Sequence, residues 1–338
     1  MISPRVTVLM PVYNGERFLH ESLQSILCQS FADYEFIIID DGSTDNSLTI
    51  IQSISDSRIQ LIRNEINLGL VATLNKGVKL ALGEYIARMD QDDVSWPDRL
   101  TKQVDFMDNN KHIGVCGSWV RFIPKGNNYI WKLPESSEEI RCWLFSTVGV
   151  AHPSVMLRKQ LFLDYDLFYT SAFQYIEDYE LWVRAIQFMD FANIQEPLLD
   201  YRISSGQMCS VYGAEQLAAV APLRLQRVRE LGIDPTPDQQ QLHEMIMNNL
   251  IPAESLYLDR VEQWLLKLDS ANRAIGTYSA DCFSRRLLDI WFSICITLAD
   301  ASVCSLRRCL LSPLWAAVNN PVWHRTRAFG AWIVRKIV

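Results

Sequence analysis

The first 120 residues alternate short apolar runs with stretches whose apolar positions recur at helical spacing. Val6 to Val12 is mainly apolar, the pattern of a strand buried on both faces. Tyr13-Asn14-Gly15 breaks it. Phe18, Leu19, Leu23, Ile26 and Leu27 then predict an amphipathic helix. Phe36 to Ile39 is a second strand, closed by Asp40-Asp41-Gly42-Ser43, and Ser43 or Thr44 is the expected cap of a helix through Leu48 and Ile51. A third strand, Ile59 to Ile62, leads to Asn67-Leu68-Gly69 and a helix reaching about Leu82. The fourth, Tyr85 to Met89, ends at Asp90-Gln91-Asp92-Asp93, and Pro97 opens the next helix. Repeated units of this kind predict an α/β fold, with a mostly parallel sheet and helices on both faces. Ligands of such sheets sit at the carboxyl ends of the strands, where both acidic clusters fall.

After Gly114 the pattern loosens, with a strand near Val115 to Phe122 and a helix near Glu138 to Phe145. From about Gly213 the chain reads as largely helical, broken at Pro235-Thr236-Pro237, Pro252, Pro313 and Pro321. The expected division is an α/β domain over 1–210 and a mainly helical extension over 211–338.

Composition narrows the function classes. At 49% hydrophobic and 21% charged, the 338-residue chain is an ordinary globular protein. Its net charge of −7 argues against a nucleic-acid partner, which calls for a basic footprint. Arg307, Arg308, Arg325, Arg327, Arg335 and Lys336 fall between Val303 and Val338, with no acidic residue. This basic tail carries Trp315, Trp323, Phe329 and Trp332, which either lie on an anionic membrane surface or pack against the α/β domain. The eight cysteines have no Cys-x-x-Cys spacing and no secretory signal is evident, so reduced thiols in a cytoplasmic protein are expected. The longest apolar run, Ile290 to Leu298, is shorter than the ~20 residues of a membrane span.

Three acidic clusters carry candidate chemistry. Asp90 and Asp92, two apart in an extended segment, point to the same side and can share one hard cation, although such triplets also occur as solvated turns. Asp41 can accept from a nucleobase N–H or from ribose hydroxyls, whereas Asp45 reads as support for the turn. Glu177-Asp178 offers carboxylates that a general base needs, but taken alone it reads as acidic residues complementing a helix N-terminus.

The ordered set is more specific than its parts. Val6 to Asn14, Asp40 to Asn46, Asn67-Leu68-Gly69, Ala87 to Asp93, His152-Pro153-Ser154 and Glu177-Asp178-Tyr179 follow in the order and spacing of the family 2 glycosyltransferases, which the chain resembles over about residues 5 to 205. The resemblance implies the GT-A fold, a nucleotide-sugar donor with UDP favoured, and Mn²⁺ or Mg²⁺. Pro11 and Tyr13 would line the nucleotide pocket, and Asp41, with Asp40, would hold base and ribose. Asp90 and Asp92 match the Asp-x-Asp that binds ribose and metal, with Asp93 an alternative metal ligand. Asp178 matches the catalytic base, and Glu177 or Glu180 would help place the acceptor. His152 lies near the acceptor side, as a structural or a positioning residue.

The implied reaction is a single inverting displacement onto a glycan or lipid-linked acceptor, as in cell-surface polysaccharide synthesis. Processive members carry Gln-x-x-Arg-Trp, but Gln226-Arg227-Val228-Arg229 is followed by Glu230, so one added sugar is expected. A sugar-phosphate nucleotidyltransferase would need a glycine-rich basic loop after the first strand, where Pro11 to Gly15 stands instead. A non-catalytic nucleotide-sugar scaffold fits poorly with the retained Asp41, Asp90, Asp92 and Asp178.

Overall fold

Strand β1 (Val6–Val12) is buried at all seven positions, as its apolar run requires. It pairs in parallel with β2 (Tyr34–Asp40), and β2 in turn with β3 (Ile59–Arg63). On its other side β1 pairs in parallel with β4 (Tyr85–Arg88). The computed structural model describes residues 3–123, 129–203, 213–252, 255–299 and 311–317. Helices α1 (Leu19–Leu27), α2 (Ser47–Gln52) and α3 (Leu70–Leu80) connect these strands.

β5 (Val94–Ser95) and α4 (Arg99–Asn109) lead into β6 (Ile113–Ile123), which carries the short β7 (Ile130–Trp131) on one side. Then come α5 (Ser137–Trp143), β8 (Met156–Arg158), α6 (Lys159–Asp164), α7 (Glu177–Ala185) and β9 (Asp190–Arg202). β8 is antiparallel to both β4 and β6, and β9 is parallel to β6. The sheet order is β3-β2-β1-β4-β8-β6-β9-β5, with β7 beside β6. Two reversals around β8 restore the original direction, so β1, β2, β4, β6 and β9 all end at one edge. β9 lacked a sequence signature because Pro197 and register shifts opposite Ser118 and Trp119 interrupt its alternation.

One helix start differs from expectation. Neither Ser43 nor Thr44 caps α2: Ser43 Oγ accepts from the Asn14 N–H at 3.0 Å. It is Asp45 Oδ1 that accepts from the Ser47 N–H, at 2.9 Å. The helix begins later than the pattern predicted, with Asn46 at its N-cap position and no side-chain cap hydrogen bond there.

The chain forms two compact units, one of Met1–Ile140 with Val148–Ala219, the other of Arg141–Thr147 with the described residues from Val220 on. Helix α8 (Gly213–Glu230) runs through the division. The second unit contains α9 (Pro237–Met247), α10 (Ser255–Ile275) and α11 (Ala280–Ala299). Thr236 starts α9 with a reciprocal capping box to Gln239. Trp264, Trp291 and Trp315 are buried in this unit's core. The expected tail surface lies outside the described residues except for 311–317, where Trp315 is interior. Among the described residues no helix is long and apolar enough to cross a membrane. Among the described residues, Cys28 and Cys116 are free thiols.

Candidate active site

The loop after β4 brings three carboxylates together: one oxygen each of Asp90, Asp92 and Asp93 lies within 4.8 Å of the others. Oxygens held by one small divalent cation at about 2.1 Å stand about 3 to 4 Å apart, so modest side-chain rotation closes the set. Asp93 is fully buried; its Oδ1 accepts from the Arg202 N–H at 2.8 Å and its Oδ2 has no hydrogen-bond partner. Burial, then the charges of Asp90 and Asp92, raise its pKa well above the carboxylate range. An unpaired carboxylate oxygen beside two more carboxylates is costly unless a cation joins them, and an all-oxygen set suits Mg²⁺ or Mn²⁺.

Three neighbours that the sequence reading passed over hold this loop. Gln91, the middle residue of the Asp-x-Asp, brackets the Tyr13 backbone: Tyr13 N–H donates to Gln91 Oε1 at 2.8 Å, and Gln91 Nε2 donates to Tyr13 O at 3.0 Å. Arg202, at the end of β9, donates from Nε to Asp92 O at 2.7 Å and lies over the Phe18 ring at 4.3 Å. Arg88, on β4, is buried and ion-paired with Asp90, and its Nε has no hydrogen-bond partner. Burial alone would push its pKa down, but Asp90, Tyr169 and Asp93 hold it above the ordinary arginine value. An arginine inside an apolar strand was the available signal, since such a charge is rarely buried without partners.

The second acidic cluster is turned inward. Asp40 is fully buried; its Oδ1 accepts from the Ser43 N–H at 3.2 Å and its Oδ2 lies 3.6 Å from Arg63 Nε. Asp41 Oδ1 accepts from Asn64 Nδ2 at 2.7 Å and the Leu68 N–H at 2.9 Å, while Oδ2 accepts from the Gly69 N–H at 2.9 Å. Asp41 therefore ties β2 to the Asn67-Leu68-Gly69 turn, with acceptor capacity to spare on Oδ2. A Cβ on Gly42, where φ is +73°, would meet the Ile66 and Asn67 backbone at 2.7 and 2.8 Å. Only glycine allows that approach. Pro11 is buried within β1, and Tyr13 is 44% exposed beyond its end.

The third cluster opens α7. Tyr175 has φ 72°, a strained value for a bulky residue, and delivers the chain into Ile176 and the helix. Glu177 is buried, and burial followed by the charge of Asp178 pushes its pKa up to about 7. Asp178 is half-buried; its Oδ1 accepts from the Tyr179 N–H at 2.7 Å. Burial raises its pKa, opposed by that hydrogen bond and by the charge of Arg88. Both carboxylates feel Arg88 and Asp90, so the first and third clusters share one electrostatic neighbourhood. Glu180 instead pairs with Arg184 within α7, at 2.8 Å.

His152 is buried, with Nε2 2.8 Å from Tyr169 Oη and its ring edge-on to Trp182. Burial and Arg88 hold its pKa well below the ordinary value, so it is a neutral imidazole. Asn75 grips the Tyr169 backbone, accepting from its N–H at 2.9 Å and donating to its carbonyl at 2.8 Å. His152 thus reaches the site through Tyr169, whose ring oxygen also feels Arg88, Asp178 and Glu177.

Known proteins resemble the chain in sequence and in fold. Residues 7–166 match the family model described as Glycosyl transferase family 2. An uncharacterized glycosyltransferase of Haemophilus influenzae is 32% identical over 247 residues, 68% of this chain and 76% of its own. WfgD of Escherichia coli, a UDP-Glc:alpha-D-GlcNAc-diphosphoundecaprenol beta-1,3-glucosyltransferase, is 28% identical over 62% of this chain and 78% of its own. Among solved structures, S. aureus TarS 1–349 in complex with UDP-GlcNAc superposes with a TM-score of 0.59 at 18% identity, covering 90% of this chain and 89% of that one. The mannosyltransferase PcManGT from Pyrobaculum calidifontis, in complex with GDP-Man and Mn²⁺, gives 0.51 at 16% identity, covering 93% and 89%. The strand order, the acidic edge and these relatives together make the chain a glycosyltransferase of family 2, with the GT-A fold.

Proposed function

We propose that the chain moves a single sugar, with inversion, from a UDP-sugar to a hydroxyl of a glycan or lipid-linked acceptor, and that it depends on Mn²⁺ or Mg²⁺. The observation that carries this reading is the pair of carboxylate groups, Asp90-Asp92-Asp93 and Glu177-Asp178, within the field of one buried Arg88. Asp90, Asp92 and Asp93 would hold the cation, which when bound would neutralise the diphosphate of the donor.

Tyr13, Asp40 and Asp41, with Pro11 behind them, would receive the nucleoside. Asp178, half-exposed at the start of α7, takes the proton from the acceptor hydroxyl as that oxygen attacks the anomeric carbon. Glu177 and His152, the latter through Tyr169, place the acceptor. Attack from the face opposite the leaving diphosphate gives inversion. WfgD's lipid-linked acceptor and its UDP-Glc donor favour the same classes here. Arg227 pairs with Glu230 at 2.6 Å within α8, so the near-match to the processive motif is occupied by a local ion pair. A place on the inner face of the membrane, through residues 303–338, would bring the site to a lipid-linked acceptor.

A thermal-shift series of UDP- and GDP-sugars, with and without Mn²⁺, tests the reading on wild type, Asp92→Ala and Asp178→Asn. A ligand that binds only the folded state raises its apparent stability. One UDP-sugar should shift the wild type and Asp178→Asn only when Mn²⁺ is present, and should leave Asp92→Ala unmoved. Asp178→Asn should then turn over no acceptor. A shift independent of metal and of Asp92 would overturn the metal assignment.

A further inference from the structure

The edge that carries the acidic loop also carries an aromatic face to which the reaction above gives no role. β6 and β9 end there, side by side, with Phe122 opposite Tyr201 and Ile123 opposite Arg202. Across the β6–β7 hairpin, Val120 pairs with Trp131, and the Phe122 N–H donates to Tyr129 O at 2.9 Å. Residues opposite one another, and those two apart, project from one side of a sheet. Phe122, Tyr129, Trp131 and Tyr201 therefore share a face.

Their rings bear this out. Phe122 stacks on Tyr129 with centroids 5.5 Å apart at 27°, and on Trp131 at 6.3 Å and 25°. It meets Tyr201 edge-on at 5.4 Å. Cross-strand pairing accounts for these contacts, but not for Tyr129 remaining 55% exposed beside three half-buried rings. The charges on these strand ends go to the other side: Arg121, one position before Phe122, pairs with Asp200 at 2.7 Å and lies over Trp96. The rings stand at the same sheet edge as the acidic loop: Tyr201 is followed at the end of β9 by Arg202, whose side chain points to the opposite face and which holds Asp92 and Asp93.

We propose that Phe122, Tyr129, Trp131 and Tyr201 form a subsite for a pyranose ring of the acceptor glycan, an inference that rests on the transferase reading above. A pyranose has one face of C–H bonds and a rim of hydroxyls. The C–H face lies on the electron-rich face of an aromatic ring, while the hydroxyls stay in water or meet the polar tips of tyrosines. Half-exposed, nearly parallel rings suit a neutral, flat ligand of that kind. Such a platform would select a sugar-bearing acceptor, leaving the metal and nucleotide contacts untouched.

The test uses the full chain and saturation-transfer NMR with the methyl pyranosides of glucose, galactose, mannose and N-acetylglucosamine. At least one should receive saturation from the wild type, and its binding should weaken about tenfold or more in Tyr129→Ala and in Tyr129→Ala/Trp131→Ala. Tyr129→Phe should restore it. The exposed Tyr129 makes the single variant safe for folding, and UDP affinity by calorimetry should be unchanged in every variant. Equal saturation in wild type and variants, or none in the wild type, overturns the proposal. Loss of sedimentation with phosphatidylglycerol vesicles, with pyranoside contact unchanged, overturns it in favour of a membrane-facing surface. Failure of UDP to bind the wild type would instead count against the donor reading, and the pyranoside result decides this one separately.

Discussion

The Arg88 guanidinium, 5% exposed, is ion-paired with Asp90, two residues further along the chain where β4 runs out. Strand geometry explains the spacing, since residues two apart point the same way. The pair keeps one cation among Asp90, Asp93, Glu177 and Asp178, all of which feel its charge.

Removing that cation should damage both stability and rate. Breaking a buried ion pair by deleting one partner costs about 3 to 5 kcal/mol. Arg88→Met should lose about that much in urea unfolding, and turnover of the donor should fall about 10²-fold or more. Arg88→Lys keeps the charge and should recover part of both, which the same two measurements will report.

Asp93→Asn should separate stability from metal binding. The variant keeps an acceptor for the Arg202 N–H and removes a carboxyl whose ionisation is penalised by burial and by Asp90 and Asp92. Without metal it should unfold at higher urea, gaining about 1 to 3 kcal/mol. Mn²⁺ titration should show weaker binding than in the wild type. A variant less stable than wild type in EDTA would contradict this account.

Glu177 gives stability a pH dependence of definite sign. Its folded pKa, about 7, lies above the value near 4.5 of the ordinary side chain, so the folded state binds more protons between these values. Stability contributed by this group is therefore full below about pH 4.5 and falls as pH rises towards 7. The loss amounts to about 3 kcal/mol at full deprotonation. Glu177→Gln should flatten the curve between pH 5 and 8, measured by urea unfolding at each pH. Because Glu177 and Asp178 titrate as a pair, the acid limb of the wild-type rate profile belongs to both.

Asp41→Ala should loosen a defined turn. The carboxylate accepts from Asn64, Leu68 and Gly69, and its loss leaves those donors unmet. A cost of about 1 to 3 kcal/mol follows, with faster hydrogen exchange at the Leu68 and Gly69 amides. Unchanged exchange at both amides would refute the anchoring role.

By itself, the sequence determined the parallel half of the sheet and the edge on which the chemistry falls. Strands β1, β2 and β4 are buried, mainly apolar runs, and turn residues or carboxylates mark where each one ends. Asp90-Gln91-Asp92-Asp93 and Glu177-Asp178 were legible for the same reason: several adjacent charges stand out where a strand stops or a helix starts.

Tertiary structure alone decided the rest, because it depends on contacts between distant residues. β9 pairs with β6 across nearly eighty residues despite its broken alternation. Gln91 turns away from the acidic group to hold Tyr13, and Arg202 reaches Asp92 and Asp93 from the far end of the domain. That Asp41 also anchors a turn could not be read from the sequence, since the Asn64 to Gly69 segment folds back over it. Local pattern reports which residues must leave the core; which partner each one then meets is set by the chain's return path.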